Sequence, residues 1–183
     1  MDIGPFSYLT YTVRPAAGTE SEALSAFFRA AGGETDFLSF SEADCPYTDE
    51  VCSGFIRECM REENLLLLAY KGDALIGELS LTTPNRQRFR HTRELGIALL
   101  REHCDRGLGT RMLRAALAAA DESGVDNISL SVSTENARGL HLYQKLGFVT
   151  YGIYPRQSFY NGVFHDTAYM VRVRPGAAPE SEH

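Results

Sequence analysis

The chain lacks any apolar run close to the roughly 18 residues that a membrane-spanning helix requires. Its N-terminal stretch, MDIGPFSYLTYTVRP, also lacks the charged start and the long apolar block of a secretory signal. We therefore expect a cytoplasmic protein with no membrane partner, whose mature chain begins where this sequence begins.

Metal-binding spacings are absent as well. The seven-residue steps between the first three of the four cysteines do not match common zinc modules, and no Cys-x-x-Cys pair occurs. The five histidines include no pair at the spacing of a zinc-binding helix. These absences predict free thiols and no bound metal.

Positive charge is scarce. The 18 Lys and Arg residues stand against 24 Asp and Glu, for a net charge of −6. Because phosphate binding depends on clustered basic side chains, we expect no nucleic-acid partner. One local exception, RQRFRHTR from Arg86 to Arg93, is interpreted first as a solvated loop between strands, and contact with an acidic substrate or a phosphate group is the alternative.

Length and composition indicate one soluble globular domain. The chain has 183 residues, of which 44% are hydrophobic and 23% charged, enough for one sizeable core. We predict a single domain over residues 1–174. The remaining stretch, PGAAPESEH at 175–183, is too polar and proline-rich to pack and is expected to be disordered.

Hydrophobic periodicity predicts the order strand, two helices, hairpin, strand, helix, strand, helix and two strands. The fold class is therefore α/β, with a mixed sheet and helices on both faces. The first helix is expected to be capped by Thr19 or Ser21 and to end at Gly32-Gly33. The predicted strands cover 8–14, 65–70, 74–81, 94–100, 127–132, 148–154 and 164–173.

The segment CDRGLGTRML, from Cys104 to Leu113, joins a predicted strand to a predicted helix through two glycines. Backbone N–H groups at such a junction can bind an anion such as a diphosphate, and Arg106 adds a cation. A plain turn with small residues for close packing is the alternative. A P-loop is excluded because Thr110 and Arg111 follow the second glycine, and the dinucleotide fingerprint fails because Met112 occupies its third small position.

The stretch ELGIALLREHCDRGLGTRML…ISLSVSTENARGLHLYQKLGF, residues 94–148, resembles the core of the GNAT superfamily of acetyl-CoA-dependent N-acetyltransferases. The family signature Gln/Arg-x-x-Gly-x-Gly/Ala falls on Cys104, Gly107 and Gly109. The pattern N-x-x-x-x-x-L-Y-x-K-x-G-F begins at Asn136 and contains Tyr143. The resemblance implies the family's mostly antiparallel mixed sheet, acetyl-CoA as cosubstrate and transfer of its acetyl group directly to a primary amine.

The resemblance also implies a set of cofactor contacts. Two neighbouring strands of the family splay apart at a β-bulge, and the pantetheine arm pairs with strand backbone in that gap. Cys104 departs from the family's Gln or Arg, which removes a polar side chain from the edge of the diphosphate site. The expected contacts are the backbones of Leu99, Leu100 and Arg101, the loop residues Cys104, Arg106, Gly107, Leu108, Gly109 and Thr110, and the side chains of Asn136 and Tyr143.

The same resemblance suggests catalytic roles. Tyr143 would donate a proton to the departing thiolate, whereas pattern alone favours a half-buried aromatic packed on its helix. Glu94 is expected to be the general base, directly or through water, with Glu78 as the second candidate. A water chain without Glu94, or an ion pair between Glu94 and Arg90 or Arg93, is the alternative.

The acceptor amine is expected between residues 37–47 and 151–160, where aromatic residues are frequent. An acidic protein suits a cationic amine slightly better than an acidic one, and an amino acid or a peptide N-terminus stays possible. An inactive acetyl-CoA-binding sensor and a domain without cofactor are the competing functions. Exposed strand edges also predict a homodimer.

Overall fold

The computed structural model describes residues 1, 3–61, 64–84 and 86–176. In this part of the chain, an eight-stranded sheet has the order β1-β2-β3-β4-β5-β6-β8-β7. The strands are β1 (Phe6–Tyr8), β2 (Tyr11–Pro15), β3 (Leu65–Lys71), β4 (Ala74–Thr82), β5 (Thr92–Leu99), β6 (Asn127–Ser133), β7 (Val149–Tyr160) and β8 (Val163–Val173). The helices are α1 (Ser21–Glu34), α2 (Asp49–Cys59), α3 (Leu108–Glu122) and α4 (Ala137–Lys145).

All neighbouring strands are antiparallel except β5 and β6, which run parallel. A parallel pair needs a crossover connection, and α3 supplies it between these two strands. The mixed, mostly antiparallel sheet with helices on both faces is therefore confirmed.

The core is divided by the sheet into two clusters of buried side chains. In β3, Leu65 and Leu67 belong to the larger cluster with α3, and Leu66 and Leu68 belong to the smaller cluster with α1 and α2. Each of these leucines is at most 3% exposed. Because burial of such a side chain contributes about 1.5–3 kcal/mol, the uninterrupted LLLL run of β3 anchors both layers.

The first part of the chain differs from its sequence prediction. The expected strand 8–14 is two strands, β1 and β2, which pair through a tight turn where Leu9 has a φ of 54°. Glu20 stands at the N-terminus of α1, and its carboxylate accepts hydrogen bonds from the backbone N–H groups of Ala17, Gly18 and Thr19. The caps predicted at Thr19 or Ser21 were wrong, because Glu20 occupies the N-cap position, and its carboxylate binds the turn before the helix and not the first N–H groups of α1.

The last two strands are longer than predicted. β7 continues past Pro155 to Tyr160, and it lies at the edge of the sheet, where a missing N–H costs no ladder hydrogen bond. Asn161 and Gly162, with φ of 51° and 76°, form the two-residue turn into β8. The register shifts between Tyr154 and Ser158, so β7 carries an irregularity before this turn.

The predicted tail at 175–183 lies outside the described residues except for Pro175 and Gly176, which form a turn. The predicted single domain over 1–174 stays a prediction. No helix in the described ranges is both long enough and apolar enough to cross a membrane.

Candidate functional site

A gap opens in the middle of the sheet between β5 and β6. The two strands pair only from Thr92–Glu94 to Asn127–Ser129. Beyond Glu94, β5 stays paired with β4 as far as Leu99, which lies opposite Gly77. Over the same length, β6 stays paired with β8. The predicted separation of these two strands is therefore present beyond Glu94 and Ser129. In the described part of the chain, their facing edges do not pair with each other there, which leaves backbone groups for an extended ligand such as a pantetheine arm.

The two glycines after this gap do different jobs. Gly107 caps α3 with a φ of 80°, and a Cβ there would lie 2.6 Å from the hydroxyl oxygen of Tyr8. Gly109 is inside the helix, and its Cβ would lie 3.3 Å from Cδ1 of Leu99. Gly107 therefore supplies a left-handed backbone, and Gly109 supplies close packing of helix on strand.

The N-terminus of α3 fits a diphosphate. Among the residues that the structure describes, the N-cap position of this helix has no side-chain capping bond, since it is Gly107. A side chain at position 107 would collide with the hydroxyl group of Tyr8 in β1 and would disturb the turn that positions the first N–H groups of α3. Such a bare N-terminus, with its positive dipole end, is a suitable anion cradle.

The side chains around this loop include one that the sequence did not single out. Nη1 of Arg138, in the first turn of α4, donates to Oδ2 of Asp105 at 2.8 Å. Nε of Arg106 donates to the carbonyl oxygen of Glu102 at 3.1 Å. Burial raises the pKa of the Cys104 thiol, and the positive charge of Arg138 opposes that rise. In the sequence, Arg138 could have been noticed because it lies two residues after Asn136, inside the motif that begins there.

Two of the predicted backbone contacts are already engaged within the chain. The N–H of Leu100 donates to the carbonyl oxygen of Ile76 at 3.0 Å. The N–H of Arg101 donates to Oε2 of Glu34 at 2.6 Å, and the Arg101 guanidinium donates to the Glu34 carbonyl. Contacts of Leu99, Leu100 and Arg101 with a cofactor stay predictions, since the carbonyl oxygens of Leu100 and Arg101 also accept hydrogen bonds, from the N–H groups of His103 and Cys104.

Asn136 lies at the start of α4, and Tyr143 lies in its last turn. The side-chain oxygen of Asn136 accepts from the N–H of Gly139 at 2.8 Å, which confirms its capping role. Tyr143 is half-buried and meets Phe148 edge-on, with ring centroids 5.8 Å apart. Burial raises its pKa to about 12, and the charge of Glu78 adds to that effect. The phenol is therefore protonated at neutral pH and able to act as an acid.

The two glutamates have opposite environments. Glu94 is exposed and lies where β5 still pairs with Thr82 and Ser129. Glu78 is 4% exposed, and burial raises its pKa to about 8. Its Oε2 has no hydrogen-bond partner among the described residues. Glu78 thus has the unpaired oxygen and the near-neutral pKa that suit a general base.

Gly96 of β5 accommodates the hydroxyl group of Ser80 beside the Glu78 carboxyl group. A Cβ at Gly96 would lie 2.8 Å from Oγ of Ser80 and 3.8 Å from Oε1 of Glu78. Ala98, opposite Glu78 in the register, belongs to the cluster under α1 and α2. The carboxyl group therefore lies on the α1/α2 face of the sheet, next to β5 and its free edge.

An aromatic group from the α1/α2 layer lies near this carboxylate. Tyr47 stacks on Phe28 at 4.1 Å and meets Phe40 and Phe55 edge-on. Burial raises the pKa of Tyr47, and the charge of Glu78 adds to it. The segment 37–47 thus supplies apolar surface beside the candidate base.

The other predicted acceptor segment, 151–160, is mostly solvent-exposed. Its end approaches the first segment, since Nδ2 of Asn161 is 3.5 Å from Oδ2 of Asp36. The ring of Tyr160 stacks on that of His165, with centroids 3.7 Å apart. Nδ1 of His165 lies 3.0 Å from Oε2 of Glu135. Sequence reasoning missed His165 because it belongs to no motif.

The arginine-rich loop contains a short 3-10 turn at Gln87–Phe89, and Arg88 and Arg90 are exposed, in agreement with a solvated loop. Arg93 is buried, and its guanidinium donates to the carbonyl oxygens of Arg90 and Thr92. All four cysteines are free. Within the described ranges, no group of three or more His, Cys, Asp or Glu residues could hold a metal ion.

The chain was compared with known proteins. The model of the acetyltransferase (GNAT) family matches residues 29–148, which include α2, the central strands, the glycine loop and Tyr143. The L-amino acid N-acetyltransferase AaaT of Escherichia coli (strain K12) is 30% identical over 110 residues, covering 60% of this chain and 67% of that protein.

Solved structures agree. A GNAT-family acetyltransferase from Streptococcus pneumoniae has a TM-score of 0.82 and 30% identity, covering 89% of this chain and 98% of that chain. A GNAT phosphinothricin acetyltransferase from Sinorhizobium meliloti, solved with acetyl-CoA, has the same fold, with a TM-score of 0.78 at 20% identity, covering 91% and 89%. With the site geometry, these matches show that the chain belongs to the acetyltransferase (GNAT) family and is an acetyl-CoA-dependent N-acetyltransferase.

Proposed function

We propose that the protein acetylates the α-amine of a free L-amino acid, with Glu78 as general base and Tyr143 as general acid. The observation that carries this proposal is a buried carboxyl group and a half-buried phenol that are close enough for the charge of Glu78 to act on Tyr143. Burial raises the pKa of Glu78 to about 8 and that of Tyr143 to about 12, and the charge of Glu78 acts on Tyr143. A base and an acid with separated pKa values match the needs of acyl transfer to an amine.

The roles of the residues follow from their places. Acetyl-CoA supplies an acetyl thioester, and the cradle at Gly107 would hold its diphosphate. Glu78 removes a proton from the acceptor ammonium, so that the nitrogen lone pair is free to attack. Tyr143 donates its phenolic proton to the departing sulfur. Backbone groups on the free edge of β5 would orient the pantetheine arm that carries the thioester. Glu94, which is exposed, is not needed as the base in this arrangement.

The acceptor class rests on two supports. The relative that is 30% identical over 110 residues is named an L-amino acid N-acetyltransferase. The aromatic cluster of Tyr47, Phe28 and Phe40 lies on the same side of the sheet as Glu78, and this apolar surface suits a small amine better than a long polycation. A polyamine is the competing acceptor, because the chain is acidic overall.

The experiment has two steps. Calorimetric titration with acetyl-CoA, with NAD and ATP as controls, tests the cofactor. Release of free thiol is then followed with each of the common L-amino acids, their D-enantiomers, spermidine and an amino sugar. Turnover confined to L-amino acids supports the proposal, whereas turnover with spermidine alone would make the polyamine the substrate. Acetyl-CoA binding without thiol release from any amine would favour the inactive sensor.

We also propose a cytoplasmic homodimer that pairs through β7. This strand is a free edge, and Val149, Tyr151 and Ile153 expose more than half of their surface on it. Such an edge favours pairing with a second copy. Light scattering after size-exclusion chromatography measures the mass directly, and a monomer near 20.3 kDa at micromolar concentration would contradict the dimer. The absence of nucleic-acid, membrane and metal partners stays a prediction.

A further inference from the structure

The position of Cys104 lacks the long polar side chain that its family places there. The signature has Gln or Arg three residues before the first glycine, and this chain has a thiol. The Sγ atom lies 3.8 Å from the Leu99 carbonyl oxygen and 3.7 Å from that of Leu100, so the side chain turns toward β5. The loop therefore presents no polar side chain of its own at that place.

A guanidinium from another element reaches the same place. Arg138 belongs to the first turn of α4, and its Nη1 atom is 2.8 Å from the carboxylate of Asp105, the next residue after Cys104. Its charge also acts on the Cys104 thiol. Because α4 follows β6 and the loop follows β5, this side chain spans the two walls of the gap between those strands.

The pair with Asp105 is weak enough to be exchanged. The two side chains are 59% and 70% exposed, and exposed ion pairs contribute about 0–1 kcal/mol. A guanidinium has five N–H donors in a planar fork that matches phosphate oxygens. Asp105 accepts from Nη1, which leaves most of the fork available.

We propose that Arg138 binds a phosphate group of coenzyme A and replaces the basic or amide side chain missing at Cys104. This inference rests on the proposed use of acetyl-CoA at the α3 cradle. Asp105 holds the guanidinium across the mouth of the site in the free protein, and the phosphate takes over that partner on binding. The charge is supplied from α4 instead of from the loop.

The test compares variants of the full chain by calorimetric titration with acetyl-CoA. Arg138→Ala is expected to weaken binding about tenfold or more, since a charge-assisted hydrogen bond is lost. Arg29→Ala, which removes a charge from an exposed position of α1, is the matched control and is expected to bind like the wild type. Cys104→Arg, added to Arg138→Ala, is expected to restore most of the affinity.

Two further arms identify the contact. Turnover with acetyl-pantetheine, which has no nucleotide phosphate, is expected to keep the same kcat/KM in Arg138→Ala. The same comparison is made with acetyl-dephospho-coenzyme A, which lacks the 3′-phosphate. If Arg138→Ala still binds it more weakly than the wild type does, Arg138 contacts the diphosphate, and if the two proteins bind it equally, Arg138 contacts the 3′-phosphate. Asp105→Asn is expected to bind acetyl-CoA at least as tightly as the wild type, because a competing carboxylate is removed.

Unchanged affinity of Arg138→Ala for acetyl-CoA would overturn the inference, and so would a loss in Asp105→Asn as large as that in Arg138→Ala, since the arginine would then only hold the loop. A wild-type protein that does not bind acetyl-CoA would remove the proposed function itself. Melting temperatures of all variants show whether each is folded.

Discussion

The two faces of the sheet are built differently. On the α3/α4 face, the candidate cofactor site is built on turns and helix starts, with the left-handed Gly107 before α3 and the Asn136 cap of α4. On the α1/α2 face, the candidate acceptor site is built on side chains, the buried carboxyl group of Glu78 from β4 and the ring of Tyr47 from the connection before α2. Local backbone conformation sets the geometry of the first site, whereas the second depends on side chains that the fold brings together.

The difference has a chemical reason. A diphosphate is held mainly by backbone N–H groups, whose position depends on local turn geometry at glycines. An amine acceptor is selected by side chains that must converge from several elements in a shape specific to it. The cofactor face should therefore fail through its backbone, and the acceptor face through single side chains.

The largest effect is expected from Gly107→Glu. The backbone φ of 80° disfavours any side chain, the Cβ would clash with the Tyr8 hydroxyl, and the new carboxylate would repel a diphosphate. We expect calorimetry to detect no binding of acetyl-CoA. Gly109→Ala, which adds only a contact to Leu99, is the control and should keep most of the affinity. Wild-type affinity in Gly107→Glu would place the diphosphate elsewhere.

Tyr143→Phe is expected to lower kcat about 100-fold, because the departing sulfur loses its proton donor. The ring still packs on Phe148, so the Kd for acetyl-CoA should change less than threefold, roughly the effect of a neutral hydrogen bond or less. Steady-state kinetics and calorimetry measure the two quantities separately. A variant with normal turnover would show that solvent protonates the thiolate.

Glu78→Gln is expected to lower kcat/KM about 10- to 100-fold, a smaller effect because water can partly replace the base. In the wild type, the rate should rise with pH until the carboxyl group ionises near its pKa of about 8. Glu94→Gln, at an exposed position, is the matched control, with less than about a threefold effect. The reverse ranking of the two variants would return the role of base to Glu94.

The smallest effect concerns stability. The folded pKa of Glu78, about 8, lies above the ordinary glutamate value of 4.5, so the unfolded chain ionises first and the wild type loses stability as pH rises from 4.5 toward 8. Glu78→Gln removes this loss, so its melting temperature should exceed that of the wild type more at pH 8 than at pH 5. Each kcal/mol corresponds to about 2–4 °C for a domain of this size. Equal differences at both pH values would contradict a buried, titrating Glu78.

Sequence reasoning succeeded wherever the determinant was local. The glycine loop, the capping role of Asn136 and the LLLL strand were predicted, because turn chemistry and periodicity act over a few residues. It failed at the start of α1, where Glu20 takes the N-cap position and its carboxylate binds the preceding turn. It also failed at the end of β7, where an edge position tolerates Pro155. Those outcomes depend on neighbours that no local pattern specifies.

The sequence by itself determined the family, the order of the elements after β2 and the glycine turn before α3, because turn chemistry and periodicity depend on residues close along the chain. Only the tertiary structure separated Glu78 from Glu94, since the burial that raises the pKa of Glu78 comes from its place on the sheet face under α1 and α2. It also brought Arg138 of α4 beside Cys104 of the loop. Both results have one physical cause: charge environment is a property of proximity in space, and proximity is set by packing.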